Sequence, residues 1–143
     1  MDIGELHVVI VHFPIALALC AVLADLLWLA TRKDSFKNAG MFCLVLAAVS
    51  ALPVVITGLV EACGLDYRGD YLYIVTVHKY LGITSLVIAV LAAVIRLGCR
   101  ERMKKWWLAG YCVLMLALVV SIALTGHYGG MLVHGQDFLS DIF

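Results

Sequence analysis

Charged residues are scarce in this chain: Asp, Glu, Lys and Arg make up 14% of its 143 residues, against roughly 25% in a soluble globular domain. Apolar residues reach 64% and the mean hydropathy is +1.05, which excludes a free globular enzyme, a disordered tail and a nucleic-acid binder. Two prolines, twelve glycines and no Ser- or Gln-rich tract leave no linker, so a single domain over residues 1–143 is expected. Asp2 and Glu5 stand where a secretory signal carries basic residues, and no signal peptide is expected. No repeat is read beyond shared hydropathy. The five cysteines form no Cys-x-x-Cys-His, which excludes a covalently attached c-type haem, and only Cys63 lies near the outer side, so no disulfide is expected. With no Ser/His/Asp set, phosphate-cradling Gly-rich loop or carboxylate pair, hydrolytic and phosphoryl chemistry have no support.

The chain does contain four apolar runs, residues 13–30, 36–60, 74–95 and 106–125. Each is close to the ~20 residues a helix needs to cross the bilayer core, and lipid admits few other backbones. The reading is an all-α membrane protein, four transmembrane helices in an up-down-up-down bundle. Arg32, Lys33 and Lys37 follow the first run and Arg96, Arg100, Arg102, Lys104 and Lys105 the third, while the opposite side has only Arg68 and Lys79. This bias places both termini in the periplasm of a bacterial inner membrane. Pro14 and Pro53 are expected to kink their helices, with Thr57 satisfying a freed carbonyl.

All five histidines fall on the outer side: His7 and His12 at the entry of the first helix, His78 at the entry of the third, His127 and His134 at the exit of the fourth. Ionisable groups at a membrane are expensive and usually functional, and imidazole ligates haem iron, zinc and copper. The first and third helices are diagonal in such a bundle, so His12 and His78 are expected to face each other across a gap that suits haem b, with His127 as the alternative ligand. Ala16 and Gly82, one turn deeper, make room for a porphyrin edge or let helices approach. Arg68 and Lys79 are the candidate propionate partners or, alternatively, interface anchors. Glu61 and Asp66 are second-layer partners of a ligating histidine or solvated acids. Tyr67, Tyr71, Tyr73 and Tyr80 form a quinol pocket or an aromatic belt. Asp25 is expected to pair with Arg32, seven residues on.

Leu6-His7-Val8-Val9-Ile10-Val11-His12-Phe13-Pro14-Ile15-Ala16-Leu17 resembles the opening His-Pro-x-x-Val-His-Phe-Pro-Ile-Ala-Leu of a bacterial family of small four-helix membrane proteins catalogued as a domain of unknown function. Ala24-Asp25-Leu26-Leu27, Thr57-Gly58-Leu59, His78-Lys79-Tyr80-Leu81-Gly82 and the stretch from Thr125-Gly126-His127 through His134-Gly135 to Leu139 resemble its later signatures. Similar domains precede c-type cytochrome domains in larger proteins, and the resemblance implies redox work at the outer face. Val8 replaces the family's proline after the first histidine, which puts the presentation of His7 in question. No cytochrome domain follows, so a partner cytochrome is expected on a separate polypeptide.

The leading expectation is a b-type cytochrome subunit exchanging electrons with quinol and a periplasmic c-type cytochrome or a larger respiratory complex. The alternatives are a copper or zinc site made by His12, His78 and His127 with Glu61 or His134, and a metal-free assembly subunit. Arg68 and Lys79 against Asp2, Glu5, Glu61, Asp66, Asp70, Asp137 and Asp141 make the outer side acidic, so a partner would dock through a basic patch and release as salt rises.

Overall fold

The computed structural model describes residues 3–64, 66–99, 104–135 and 137. It consists of four helices, α1 (Ile3–Thr31), α2 (Asp34–Gly64), α3 (Asp70–Gly98) and α4 (Lys105–His134), each long and apolar enough to span a membrane. The helices outrun the apolar runs because acids in the first turns of α1, α2 and α3 (Glu5, Asp34, Asp70) complement the positive helix end. Helix α1 stops where Arg32 turns left-handed, at φ 58°, and α4 stops at Gly135, at φ 100°. Gly129 and Gly130 do not turn the chain back; α4 runs through them to His134.

The two-residue connection between α1 and α2 makes them antiparallel neighbours. Packing then runs α1 to α2, α2 to α3 and α3 to α4, with α1 and α4 meeting only marginally and α1 and α3 diagonal. The buried seam is built on Ala18, Ala21, Ala89 and Ala92, small enough for close approach, and is filled by Leu44, Met115 and Leu118. In lipid such packing, with little hydrophobic drive between helices, holds the bundle. Large apolar side chains such as Phe13, Leu23, Phe42, Val94 and Leu116 point outward. Both prolines lie inside helices. The Thr57 hydroxyl donates to the carbonyls of Pro53 and Val54, both at 2.9 Å, rather than to the Val49 carbonyl that Pro53 leaves without its helical donor.

A repeat hidden in the sequence becomes visible in the fold. Helix α4 begins 71 residues after α2, and the same separation relates Asp25 to Arg96. It also relates Ala18 to Ala89, Ala21 to Ala92, Leu44 to Met115 and Ala47 to Leu118, buried at both members of each pair, and His7 to His78 and Gly58 to Gly129. The bundle is therefore two matching hairpins, α1–α2 and α3–α4, a correction to the expectation of no repeat.

Asp25 is also placed differently from expectation. Its Oδ1 accepts a 2.6 Å ion-pair bond from Arg96 across the diagonal, and its Oδ2 accepts the Tyr111 hydroxyl. Arg32 lies beyond the end of α1, exposed. Arg96 also donates to the Lys37 carbonyl at 3.2 Å and stacks between the rings of Trp28 and Tyr111, 4.9 and 5.2 Å from their centres. Gly40 is required here, because a Cβ would lie 2.6 Å from Asp25 Oδ1. Arg96 thus belongs inside the bundle and not among the loop cations.

Candidate functional site

Along α1 the inward positions recur at three- and four-residue steps: His7, Val11, Pro14, Ala18, Ala21 and Asp25. His12 falls off this stripe. It is exposed, and its Nδ1 is 3.0 Å from the Val8 carbonyl of its own helix. The residue that meets His78 across the diagonal is His7, with ring centres 6.3 Å apart and planes at 85°. The expected pairing of His12 with His78 is therefore replaced by His7 with His78, because five residues along a helix turn a side chain by about 140°.

The two imidazoles are held in matching ways. His7 Nδ1 is 3.0 Å from the Val54 carbonyl of α2 and 3.3 Å from Thr57 Oγ1, while its ring packs on Gly58, where a Cβ would come within 2.8 Å of Cε1. His78 Nδ1 is 2.9 Å from the Thr125 carbonyl of α4, and its ring packs on Gly129, where a Cβ would come within 3.0 Å of Cε1. In each hairpin the carbonyl belongs to the residue four before the glycine. A carbonyl acceptor requires the proton on Nδ1, which leaves Nε2 of both rings with its lone pair available, the arrangement common in metal-ligating histidines.

Both rings line a partly open cleft of ≈ 120 Å³ between the diagonal helices. Its walls are almost wholly apolar: Val11, Ile15, Val55, Leu59, Val75, Ile83 and Leu86 among others. Lys79 reaches the lining, with its ammonium 5.4 Å from the centre of the Tyr80 ring. Gly82 also lines it, with open space that a Cβ would meet only at Thr125, 3.9 Å away. Deeper, Ser85 Oγ and Ser121 Oγ bond at 2.7 Å.

Other residues singled out from the sequence are not part of this cleft. Ala16 is exposed. His127 is exposed and meets only the Tyr128 ring edge-on, at 5.6 Å, and His134 is exposed at the end of α4. Arg68 is held by Asp66 at 2.6 Å, both well exposed. Glu61 packs over Gly4, where a Cβ would lie 2.8 Å from its carboxyl carbon, and burial together with the Glu61 carboxylate raises the nearby Tyr67 phenol above its usual range. Tyr71, Tyr73 and Tyr80 point outward, as an aromatic belt does. The described residues hold no group of three or more His, Cys, Asp or Glu positioned for one metal ion, and His12, His78 and His127 are not brought together.

The family model for predicted membrane proteins named DUF2231 matches residues 5–138, nearly the whole chain. The chain belongs to that family. Both histidine half-sites and the Asp25–Arg96 pair lie within the matched residues. No curated protein and no solved structure matches the chain.

Proposed function

We propose that this DUF2231 protein binds haem b between His7 and His78 and works as a membrane electron-transfer subunit. The observation that carries the proposal is the pair of imidazoles on diagonal helices, each fixed through Nδ1 to a neighbouring helix's carbonyl, on the wall of one apolar cleft. Two imidazoles straddling one metal ion, each nitrogen about 2 Å from it, have ring centres on the order of 6 Å apart, and the observed separation is 6.3 Å. Two histidines alone cannot complete a tetrahedral zinc or copper site, whereas a porphyrin supplies four further nitrogens. Two further features support the reading. Gly82 leaves space beneath His78, and Lys79 is the cation at the lining suited to a propionate, Arg68 being engaged by Asp66.

When bound, such a haem exchanges one electron at a time between ferric and ferrous iron. The chain's own part is to hold both imidazoles, keep their Nδ1 protons on carbonyls and exclude water with apolar walls, the features by which a protein tunes such a centre. The basic residues gathered at the Arg32–Lys37 and Lys104–Lys105 end support a periplasmic histidine end in a bacterial inner membrane. There a quinol, which releases two electrons and two protons, is the donor class, and a ferric c-type cytochrome docking on the acidic face is the acceptor class.

A reduced-minus-oxidised visible spectrum of the protein purified from haem-replete cells tests this. Soret and alpha bands are expected, abolished by His7→Ala and by His78→Ala and kept by His12→Ala and His127→Ala. A colourless protein, or one copper or zinc per chain without iron, would overturn it.

A further inference from the structure

At the end of the bundle opposite the histidines, the α1–α2 and α3–α4 connections lie side by side. Arg96 ties them together, donating to the Lys37 carbonyl in the first turn of α2 at 3.2 Å and stacking on Trp28 in the last turn of α1. Its own charge is met by Asp25. The five other described cations at this end, Arg32, Lys33, Lys37, Lys104 and Lys105, have no carboxylate within ion-pair distance among the described residues. All are exposed except the half-buried Lys37. Asp34, the one acid beside them among the described residues, sits in the first turn of α2, where it answers the positive helix end. Helix α4 begins at the same end with no acid in its first turn and no side-chain cap from Lys104, so its first amide protons add to the positive field. Trp106 and Trp107 follow directly, stacked at 4.3 Å and 28° and exposed, 62% and 38%. Indole rings settle at the headgroup level of a bilayer, and this pair therefore holds the adjoining ammonium groups at the level of the lipid phosphates.

We propose that this end of the bundle is a docking surface for anionic phospholipid, its headgroup phosphate held by Lys104, Lys105 and the cations of the α1–α2 connection and its acyl chains lying against Trp106 and Trp107. Haem plays no part in it, and neither do the histidines. Charge selects the occupant. A zwitterionic headgroup brings a cation of its own to a face where five cations stand against one acid, whereas an anionic headgroup brings negative charge alone. Each basic residue at an anionic membrane surface strengthens attachment about fivefold. The indoles decide between a lipid and a free phosphate ion, because they offer apolar contact that only acyl chains use.

The full chain in phosphatidylcholine vesicles provides the test, with tryptophan fluorescence followed as brominated phosphatidylglycerol or brominated phosphatidylcholine is mixed in, since bromine quenches an indole only at close contact. Quenching by the phosphatidylglycerol is expected at a several-fold lower mole fraction. Lys104→Gln with Lys105→Gln should narrow that preference by about fivefold or more, and added salt should narrow it too. Arg68→Gln, at the histidine end, should leave it unchanged. Trp106→Phe with Trp107→Phe should remove the difference between the two lipids, Trp28 being left as the remaining indole. Equal quenching by both lipids would overturn the proposal, as would a preference that persists in the lysine double variant or in the tryptophan double variant. Relief of the quenching by inorganic phosphate at constant ionic strength would overturn it as well, by showing an ion site in place of a lipid surface.

Discussion

Arg96→Leu is expected to destabilise the bundle by about 3–5 kcal/mol, the usual consequence of removing one member of a buried ion pair. Asp25 would then keep a carboxylate inside the membrane with only the Tyr111 hydroxyl to balance it, and such charges are costly there. Tyr111→Phe removes one donor and leaves the ion pair, so its cost should be smaller, about 1.5–3 kcal/mol for a hydrogen bond to a charged group. The double substitution Asp25→Leu with Arg96→Leu should cost less than the sum of the singles, since no uncompensated charge is left behind. Thermal unfolding in detergent of the unsubstituted chain, Arg96→Leu, Asp25→Leu, Tyr111→Phe and the double variant, followed by helical circular dichroism, checks the order. An Arg96→Leu protein as stable as the unsubstituted chain would show that the pair is not a structural tie.

The second large effect is expected at the glycines beneath the histidines. Gly58→Ala introduces a methyl 2.8 Å from His7 Cε1, and Gly129→Ala one 3.0 Å from His78 Cε1. The rings must shift, and the Nδ1 contacts at 3.0 and 2.9 Å are drawn off their carbonyls. Disturbing the groups that orient a ligating histidine commonly costs 10–100-fold in metal affinity, so under the proposed haem reading the haem bound per chain at limiting haem should fall steeply for both variants. Gly126→Ala serves as the control, being on the same helix as Gly129 with nothing within 4 Å of its Cβ position. Equal haem content in all three would remove the packing argument, although both histidines would remain in the cleft.

How much of this was legible beforehand depended on the range of the forces involved. The four spans were readable because the length and apolarity of a segment are properties of that segment alone, and backbone hydrogen bonding in lipid leaves the helix as the answer. That the histidines gather at one end of the bundle was readable from the alternation of short loops. The choice of His7 over His12 was harder, since both sit in the first turns of α1. Only the three- and four-residue stripe running back from Asp25 through Ala21, Ala18 and Pro14 separates them. The family resemblance pointed equally to both, and Val8 in place of a proline drew attention away from His7.

The hairpin repeat is not legible in the sequence because few of its positions are identical. What the halves share is a set of buried places, occupied by Leu44 in one and Met115 in the other, or by Asp25 and Arg96. Such equivalence belongs to packing and is diluted in a sequence where lipid-facing positions are free to vary among apolar residues.

By itself, then, the sequence determined a four-helix membrane protein with its histidines at one end and most of its cations at the other, since hydropathy and the order of charged loops act locally. Tertiary structure decided that Asp25 pairs with Arg96, 71 residues away. It also decided that His7 and His78 meet over carbonyls and glycines borrowed from α2 and α4. Those choices depend on the rotation of each helix about its own axis, which is settled only when small residues on neighbouring helices pack together and bring Asp25, Arg96 and Tyr111 within reach of one another.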